Sequence, residues 1–411
     1  MWPVGPRVLI LGASVRAAAQ SALRAGFVPW AADVFADADL CAAADARRVE
    51  DYPAGLAAAA AMAPAAPWMY TGGLENRPEL VQGISAERPL WGNPAEVLRQ
   101  VRDPWRVRRA LVAAGITCPS LAHGPEGLPA DGSWLCKPLR SSGGAGIFAW
   151  RGQWRRVSPG DACPKASFQA QPGEAPSSGC VYFQQRIHGR PCSAVFVGAA
   201  GRSVLIGVTR QLVGTRWAHA KPFRYAGNVG PLPVAGPVIA QFRRIGQALA
   251  TEFGLVGVFG VDAVVTRGQV WPVEVNPRWT ASVEILERAW GMPALAWHAA
   301  ACSAGRLPEG WAEGYRPAPS VGKAILFAPA ELWVTEGFAG WARPRWADQE
   351  WPELADVPVP DTRILPGRPV LTVFAQGASQ AAVLEDLARR LAEVEARLTS
   401  PAQGWPARPE W

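Results

Sequence analysis

Lysine and histidine are scarce in this chain of 411 residues. Of its 41 basic residues only four are Lys, and there are only four His. The formal net charge of +7 comes from Arg residues that are scattered along the chain and form no basic block, which argues against nucleic acid as a partner. The His residues are too dispersed in sequence to indicate a metal cluster. Each of the few lysines is therefore worth examining.

The seven Cys residues include no C-x-x-C pair, which argues against zinc, redox and haem motifs. We expect buried thiols in a reducing cytoplasm. The most apolar stretch, residues 56–68, is interrupted by two Pro residues and is shorter than the ~20 residues that span a bilayer. The first ten residues lack the pattern of a secretory signal. These absences predict a cytoplasmic protein with no membrane contact.

The chain opens with an alternating β and α pattern. An apolar run at residues 7–11 precedes Gly12-Ala13-Ser14 and an Ala-rich helical segment that ends at Gly26, and further strands are expected at 27–32 and 68–71. Alternation of this kind predicts a small α/β domain with a parallel sheet over residues 1–93. The turn lacks the later glycines of G-x-G-x-x-G, so a dinucleotide site is poorly supported.

The pattern changes after residue 93. Asn93-Pro94 and Asp103-Pro104 each combine an N-cap with Pro at the first helical position, which predicts two helices. Runs of strands with one intervening helix follow and predict an α+β domain over residues 94–315, with a smaller subdomain at about 117–190. Within it, residues 151–179 are rich in Pro, Gly, Gln and Ser and indicate a surface excursion.

The last region, residues 316–411, contains two expected strands and a final helix. In that helix one apolar stripe recurs at helical spacing, formed by Leu384, Leu387, Leu391, Val394 and Leu398. We expect this third region to pack against the preceding domain.

A candidate phosphate site begins at Lys137, which ends an apolar strand. The loop that follows contains Ser141, Ser142, Gly143 and Gly144. Closely spaced glycines let backbone N–H groups approach phosphate oxygens, and the Lys supplies a cation. The Lys precedes the glycines, so the pattern is not a Walker P-loop. Taken alone, the segment is better interpreted as an ordinary Gly-rich hairpin with an extended Lys, and the acidic residues described next favour the phosphate site.

A candidate metal site lies on the last two strands of the middle region. Asp262, Glu274 and Asn276 carry the hard oxygen donors that Mg²⁺ prefers, and Mg²⁺ usually takes one or two carboxylates together with substrate phosphates. A polar, solvated hairpin face is the alternative. Arg278, just beyond the strand, is placed to neutralise a transferring phosphoryl group.

The length of the turn decides whether these oxygens share a face. A two-residue loop would pair Asp262 with Val273 and turn Glu274 to the opposite face, whereas a three-residue loop with Gly268 left-handed pairs Asp262 with Pro272. Only the second arrangement places the oxygens together. We therefore predict the three-residue loop.

In order and spacing these motifs resemble the ATP-grasp superfamily. The resemblance rests on Lys137-Pro138 before the Gly-rich loop, Gln184-Gln185-Arg186-Ile187-His188-Gly189, Asp262, and Glu274-Val275-Asn276-Pro277-Arg278. It extends over roughly residues 95–300, and the whole chain looks most like the carboxylate–amine ligase branch that includes biotin carboxylase-like proteins. The resemblance implies an ATP-grasp fold preceded by a small Rossmann-like domain.

The resemblance also implies roles for individual residues. Lys137 would contact the phosphates of ATP beside the loop residues Ser141, Ser142, Gly143 and Gly144. Backbone groups of Gln185, Arg186 and Ile187 would bind the adenine edge, and Gln184 would also contact the nucleotide. Two Mg²⁺ ions, with Mn²⁺ as a substitute, would be held by Asp262, Glu274 and Asn276. Arg278 would stabilise an acyl phosphate.

Other positions are candidates for substrate contact. Arg210, Tyr225 and Asn228 belong to a region that lies over the acceptor site in similar ligases, and Ser14, Arg16, Glu75 and Asn76 sit on turns of the first domain that could face the same cleft. Simple loop packing is the alternative for each.

One motif departs from the family. Members often carry a phosphate-binding Lys in a D-K pair, but here the pair reads Asp103-Pro104. Arg102 or Arg106 could supply the missing charge, as a planar fork and not as a point charge. A catalytically silent ATP-binding regulatory protein therefore remains an alternative.

The implied activity is ATP-dependent ligation of a small-molecule carboxylate to an amine, with release of ADP and phosphate. Members similar over residues 274–287 occur with genes for pterin- or furan-type one-carbon carrier cofactors, which implies ligation of an amino acid or a glutamyl group in cofactor biosynthesis. A bicarbonate-activating carboxylase is the alternative. Family analogy also implies a homodimer formed through the first or third domain.

Overall fold

The computed structural model describes residues 5–154, 180–311, 317–343 and 351–398. Most of the predicted surface excursion, from residue 155 on, and Cys163 lie outside these ranges. Within them no helix is long and apolar enough to cross a membrane, and their six Cys residues form no disulfide.

A four-stranded parallel sheet in the order β3-β2-β1-β4 forms the first region, as predicted. Its elements are β1 (Arg7–Leu11), α1 (Arg16–Arg24), β2 (Val28–Asp33), α2 (Ala38–Ala43), β3 (Asp45–Arg48), α3 (Gly55–Met62), β4 (Trp68–Tyr70), a 3₁₀ turn (Leu74–Asn76) and α4 (Pro78–Glu87). Val8 and Ile10 pack on one face of β1 and Leu9 and Leu11 on the other. Both faces are covered, as is typical of parallel sheets.

The carboxylate of Asp33, at the end of β2, supports the turn after β1. One oxygen accepts a hydrogen bond from the Val15 N–H (3.0 Å), and the other accepts from the N–H groups of Phe35 and Ala36. Burial raises the pKa of Asp33 to about 6. An acidic residue at this position can bind a ribose in dinucleotide folds. Here both carboxylate oxygens of Asp33 instead accept hydrogen bonds from nearby backbone N–H groups.

Two helices connect the first region to the next, α5 (Ala95–Val101) and α6 (Pro104–Ala113). Asp103 caps α6 as predicted, since its side chain accepts from the N–H groups of Trp105 and Arg106. The predicted Asn93 cap of α5 is wrong. Asn93 is fully buried, and its side chain bonds the backbone of Val256 and Pro277. It joins distant segments of the chain, so it is not available to cap α5.

A small antiparallel sheet in the order β5-β8-β6-β7 follows. Its strands are β5 (Leu121–Ala122), β6 (Trp134–Pro138), β7 (Phe148–Ala149) and β8 (Val181–Gln185). Cys136, Trp150 and Phe183 form its core. Lys137 of β6 and Gln184 of β8 point the other way, because neighbouring residues on a strand face opposite sides.

The described strands include a larger sheet in the order β13-β12-β9-β10-β11-β14-β18-β16. Its first elements are β9 (Arg190–Ala199), β10 (Arg202–Val213), a 3₁₀ turn (Arg216–Ala218), β11 (Tyr225–Gly230), α7 (Gly236–Phe253), β12 (Gly257–Thr266) and β13 (Gln269–Asn276). Helix α7 packs its apolar side, including Phe242 and Leu249, against Phe196 and Phe259 of the sheet. We call this side of the sheet the α7 face.

The remaining elements complete the same sheet. They are α8 (Ser282–Trp290), α9 (Ala294–Ala304), β14 (Ser320–Phe327), β15 (Leu332–Trp333), α10 (Glu336–Ala342), β16 (Leu354–Ala355), β17 (Arg363–Ile364), β18 (Pro369–Gly377) and α11 (Gln380–Leu398). Four residues of the predicted α11 stripe, from Leu387 to Leu398, are buried, whereas Leu384 is only partly buried. Val283 and Leu286 of α8 pack with Val195 on the opposite side of the sheet, the α8 face.

Candidate active site

Strands β12 and β13 form the hairpin that carries the three predicted metal ligands. The predicted three-residue loop is wrong, because Thr266 pairs with Gln269 and leaves a loop of two residues, both with positive φ. This is the geometry of a tight type I′ turn. The register then shifts so that Val273 has no partner and Asp262 lies opposite Glu274. The two carboxylates share a face despite the short loop.

The bulge at Val273 has a local cause. The preceding residue, Pro272, has no N–H to donate to the ladder, and Pro within a sheet is confined to edge strands and bulges. Strand β13 is an edge strand. Bulges of this type often occur beside active sites, where they redirect a side chain.

The side chains of Asp262 and Asn276 contact each other on the α8 face. Asn276 Nδ2 donates to Asp262 Oδ2 (3.2 Å), and Gln211 Nε2 donates to Asp262 Oδ1 (2.9 Å). Burial, with the nearby charge of Glu274, raises the pKa of Asp262 to about 6. A metal ion would stabilise its ionised form.

Glu274 behaves differently from Asp262. Burial acts to raise its pKa, but the positive charges of Arg102, Lys137 and Arg278 outweigh burial and leave the pKa below its ordinary value. Arg102 Nη1 donates to Glu274 Oε1 at 2.9 Å. Glu274 is therefore held ionised among three cations.

Lys137 bridges the two sheets. Its Nζ donates to Gln184 Oε1 and to the Val273 carbonyl oxygen, both at 3.2 Å, and Gln184 Nε2 donates to the same carbonyl (3.3 Å). Burial acts to lower the pKa of Lys137, but Tyr182 and Glu274 hold it above its ordinary value. The ammonium group is thus a buried, charged donor.

Between the sheets lies a cleft that opens to solvent and contains about 660 Å³ of space, part of it open solvent. The lining combines polar and apolar side chains. The lining consists of Val101, Arg102, Pro104, Val107, Arg108, Leu111, Cys118, Pro119, Leu121, Lys137, Pro138, Leu139, Ser141, Tyr182, Gln184, Pro272, Val273, Glu274 and Val275. A lining that has both cationic and apolar side chains suits a base joined to phosphates.

The structure distinguishes the two arginines that flank Asp103. Arg102 lines the cleft and contacts Glu274, whereas Arg106 is exposed and its Nη2 donates to Gln100 Oε1 (3.4 Å). Of the two, Arg102 is the one whose charge lies in the site.

The Gly-rich loop after β6 folds against neighbouring segments. The Ser141 carbonyl accepts from Arg102 Nη2 and Asn76 Nδ2, both at 3.2 Å, and the Gly143 carbonyl accepts from the Tyr225 N–H (3.0 Å). Gly144 has positive φ, and a Cβ there would lie 1.9 Å from the Phe223 carbonyl oxygen. Only glycine fits this approach.

The predicted adenine edge is partly engaged within the protein. The Gln185 N–H donates to the Ser120 carbonyl (2.9 Å), and the Arg186 N–H donates to the Ser133 carbonyl (2.8 Å). The described lining of the cleft includes Gln184 but not residues 185–187. Adenine contacts from this segment stay a prediction and would need its other backbone groups, such as those of Ile187.

Arg278 is held by acceptors from two parts of the chain. Its Nη2 lies 2.8 Å from Glu75 Oε1 of the first region and donates to Asn276 Oδ1 (3.1 Å), and Nη1 donates to the Trp279 carbonyl (3.1 Å). Glu75 is almost fully buried, and its other oxygen accepts from the Gly73 N–H (2.6 Å). The guanidinium therefore has a fixed position next to the metal ligands.

Comparison with known proteins identifies this arrangement. Residues 101–282 match the family model for the ATP-grasp domain. The matched stretch includes Lys137, the opposed pair Asp262 and Glu274, and Arg278. The chain carries an ATP-grasp domain.

Curated relatives match over a shorter length. A stretch of 109 residues is 33% identical to the carbamoyl phosphate synthase large chain of Neisseria meningitidis and covers 26% of this chain. It spans only 10% of that relative.

Solved structures share the fold over nearly the whole chain. N5-carboxyaminoimidazole ribonucleotide synthetase from Thermus thermophilus is 16% identical, with a TM-score of 0.62 over 98% of this chain and 100% of that chain. L-amino acid ligase from Bacillus licheniformis is 14% identical, with a TM-score of 0.64 over 95% and 97%. The biotin carboxylase domain of Hydrogenobacter thermophilus 2-oxoglutarate carboxylase, crystallised with MgADP and bicarbonate, is 13% identical, with a TM-score of 0.67 over 94% and 89%.

The substrate candidates of the ATP-grasp domain are not equivalent. Arg210 lies on the α7 face, since it falls between Val208 and Leu212 on β10, whereas Gln211 lies on the α8 face and contacts Asp262. Asn228 is fully buried, and its amide bonds Tyr225, Thr209 and Ser282. Of the three candidates only Tyr225 is near the site and partly exposed.

Arg16 also does not face the cleft. It is buried in a charged cluster with Glu284 of α8, Asp356 and Asp39, and Lys323 of β14 donates to Glu284 (2.8 Å). The cluster joins the first region to the main sheet. Ser14 contributes its carbonyl to a bond from the Thr71 hydroxyl (2.9 Å).

The donor set fits Mg²⁺. Asp262 and Glu274 provide two carboxylates and Asn276 an amide oxygen on one face, and all are hard ligands. The described residues contain no group of three or more His, Cys, Asp or Glu side chains that could hold a metal. The remaining coordination would fall to nucleotide phosphates and water, and the number of ions stays a prediction.

Two contacts of the site were not predicted from the sequence. The Val273 carbonyl depends on the bulge, for which Pro272 inside a strand was an available signal. The Gln211 contact with Asp262 could have been found from the alternation along β10, because apolar Val208 and Leu212 assign Arg210 to the buried face.

Proposed function

We propose that the protein is an ATP- and Mg²⁺-dependent ligase that activates a carboxylate as an acyl phosphate and joins it to an amine, with release of ADP and phosphate. One observation carries the proposal: a single cleft has Lys137 and Glu274 in its lining, with Asp262 opposite Glu274. The match of residues 101–282 to the ATP-grasp domain supports ATP as the nucleotide.

The site needs no general base for the first step. An ionised carboxylate oxygen attacks the γ-phosphorus and the bond to ADP breaks, so catalysis consists mainly of positioning and charge stabilisation. Lys137 would hold phosphate oxygens, and Arg278, fixed by Glu75, would stabilise the acyl phosphate. Mg²⁺ at Asp262, Glu274 and Asn276 would neutralise charge on the phosphates. The neutral amine nitrogen then attacks the acyl carbon, the C–O bond to phosphate breaks, and the proton that the nitrogen loses goes to the departing phosphate.

For the substrates we propose a small amino acid or a glutamyl group, ligated during biosynthesis of a pterin- or furan-type one-carbon carrier cofactor. The resemblance over residues 274–287 supports this choice. We also propose a homodimer, since the similar biotin carboxylase domain was crystallised as a dimer; sedimentation of the purified protein tests it.

Bicarbonate is the second candidate for the activated carboxylate. The structure with a TM-score of 0.67 to this chain was crystallised with bicarbonate. Such a carboxylase would use the same nucleotide site and would show ATP hydrolysis that depends on bicarbonate and an amine or amide acceptor.

Nucleotide-product analysis tests the proposal. Purified protein is incubated with ATP, Mg²⁺ and pooled amino acids, amines and bicarbonate, beside Lys137→Ala, Glu274→Ala and the control Glu385→Ala, an exposed residue of α11. We expect acceptor-dependent ADP and phosphate from the wild type and the control but not from the two site variants. Splitting the pool then identifies the substrates.

Other outcomes would reject the mechanism. AMP and pyrophosphate would contradict an acyl phosphate. Tight ATP binding without turnover in any pool would favour a silent nucleotide-binding protein, the alternative raised by Asp103-Pro104.

A further inference from the structure

Arg102, in the lining of the cleft, joins three parts of the protein. Its Nε donates to Asn76 Oδ1 (3.2 Å) of the first region, Nη1 donates to Glu274 Oε1 (2.9 Å) of the main sheet, and Nη2 donates to the Ser141 carbonyl (3.2 Å) of the Gly-rich loop. The side chain is 14% exposed.

The neighbours of Arg102 are the groups expected to surround a metal-bound triphosphate. Glu274 is a proposed metal ligand, Ser141 belongs to the proposed phosphate loop, and Lys137 lines the same cleft. A guanidinium has a planar array of donors that matches phosphate oxygens in a bidentate manner. Arg102 is thus within reach of both the metal and the phosphate positions.

Arg102 and a divalent cation would compete for the carboxylate of Glu274. Arg102 occupies Oε1 of Glu274, and a divalent cation at the same carboxylate would displace this charged hydrogen bond. The displaced guanidinium would then need another anion, because an unpaired buried charge is costly. The nearest anion in a loaded site would be the nucleotide phosphate.

We infer that Arg102 is an exchangeable cation, paired with Glu274 when the metal is absent and with the nucleotide phosphates when the metal takes Glu274. This inference rests on the proposed function, for which it adds a phosphate-binding residue. It makes two predictions of opposite sign for the removal of Arg102: nucleotide binding weakens, and metal binding at Glu274 becomes stronger.

Equilibrium binding tests both predictions without an acceptor substrate. The affinity for a non-hydrolysable ATP analogue is measured by calorimetry in excess Mg²⁺, so that the metal occupies Glu274. The affinity for Mn²⁺ alone is measured by electron paramagnetic resonance, and both are measured on wild type, Arg102→Ala and Arg102→Lys. The matched control is Arg106→Ala, an exposed neighbour across Asp103. Thermal unfolding of each variant reports whether it folds.

For Arg102→Ala we expect ATP affinity to fall about tenfold or more and Mn²⁺ affinity to rise severalfold. Arg102→Lys, which keeps the charge without the planar fork, should recover part of the ATP affinity, and the control should match the wild type. If Arg102→Ala does not fold, Arg102→Lys is compared with wild type instead. We then expect a lower ATP affinity and a higher Mn²⁺ affinity in Arg102→Lys.

A loss of both affinities would show that Arg102 only clamps the structure, and unchanged ATP affinity would show that it does not reach the phosphates. Either result overturns the inference. Wild-type protein that binds no ATP would instead contradict the proposed function, and unchanged Mn²⁺ affinity in Arg102→Ala would separately reject the competition at Glu274.

Discussion

Glu274 lies directly opposite Asp262 because one extra residue, Val273, is inserted into β13. The same residue presents its carbonyl to Lys137 Nζ (3.2 Å) across the cleft. A single bulge thus aligns the two carboxylates and also fixes the lysine of the opposite sheet. The site depends on this local break in the ladder.

The first prediction concerns metal binding. Asp262→Asn and Glu274→Gln each replace a hard anionic ligand with a neutral one, and we expect each to weaken Mn²⁺ binding at least tenfold in the presence of a non-hydrolysable ATP analogue. Glu385→Gln, on the exposed side of α11, serves as the control. Unchanged Mn²⁺ affinity in both site variants would place the metal elsewhere.

A second prediction concerns the position of Arg278. Glu75→Gln removes the buried charge 2.8 Å from the guanidinium, so we expect kcat to fall about tenfold while ATP affinity stays within about twofold. Glu75→Asp should recover part of the loss. The control is Glu79→Gln, a residue 71% exposed. Equal loss in kcat and in ATP affinity would argue for a general structural role of Glu75.

A third prediction concerns the Gly-rich loop. Gly144→Ala puts a Cβ 1.9 Å from the Phe223 carbonyl oxygen, so the loop can no longer pack there. We expect ATP affinity to drop more than in Gly143→Ala. At Gly143 φ is also positive, but the added Cβ would meet no neighbouring atom within 4 Å. Calorimetric titration with ATP compares the two variants. Equal affinities would mean that the packed position of the loop is not needed for binding.

A fourth prediction follows from His298 of α9, whose Nδ1 accepts from the Val258 N–H (2.9 Å). Burial lowers the pKa of His298 to about 4. As the pH falls, the imidazole ring of His298 is therefore protonated in the unfolded chain before it is protonated in the folded protein. The stability that the neutral ring provides is complete above the unfolded pKa of about 6.5 and is lost as the pH falls towards 4.

Urea unfolding at pH 7.5 and pH 5 measures the effect. Between these values the wild type should lose about 2 kcal/mol more free energy of unfolding than His298→Gln, whose side chain does not titrate. Gln keeps one donor and one acceptor at the position. Identical losses in the two proteins would contradict a depressed pKa.

Much of the fold could be predicted from the sequence, because its patterns are local. The strand at Arg7–Leu11, the helix α7 and the Asp103 cap of α6 each follow from apolar periodicity or from a capping residue next to Pro. The motif order from Lys137 to Arg278 was enough to indicate the superfamily.

What the sequence left open depends on contacts between distant segments. Asn93 looked like a helix cap, but it bonds Val256, 163 residues away. The turn prediction failed because it assumed a regular ladder, whereas Pro272 permits a bulge that corrects the register. To choose between Arg102 and Arg106 as the source of the missing positive charge required the position of Glu274 on the distant strand β13.

The most direct test of the central claim follows oxygen from the carboxylate. The protein is incubated with ATP, Mg²⁺, the amine pool and amino acids labelled with ¹⁸O in their carboxylates, and the released phosphate is analysed by mass spectrometry. An acyl phosphate predicts one ¹⁸O in each phosphate formed, because phosphate leaves with the oxygen that attacked ATP. Label in AMP, or phosphate released without label while amide accumulates, would contradict the account.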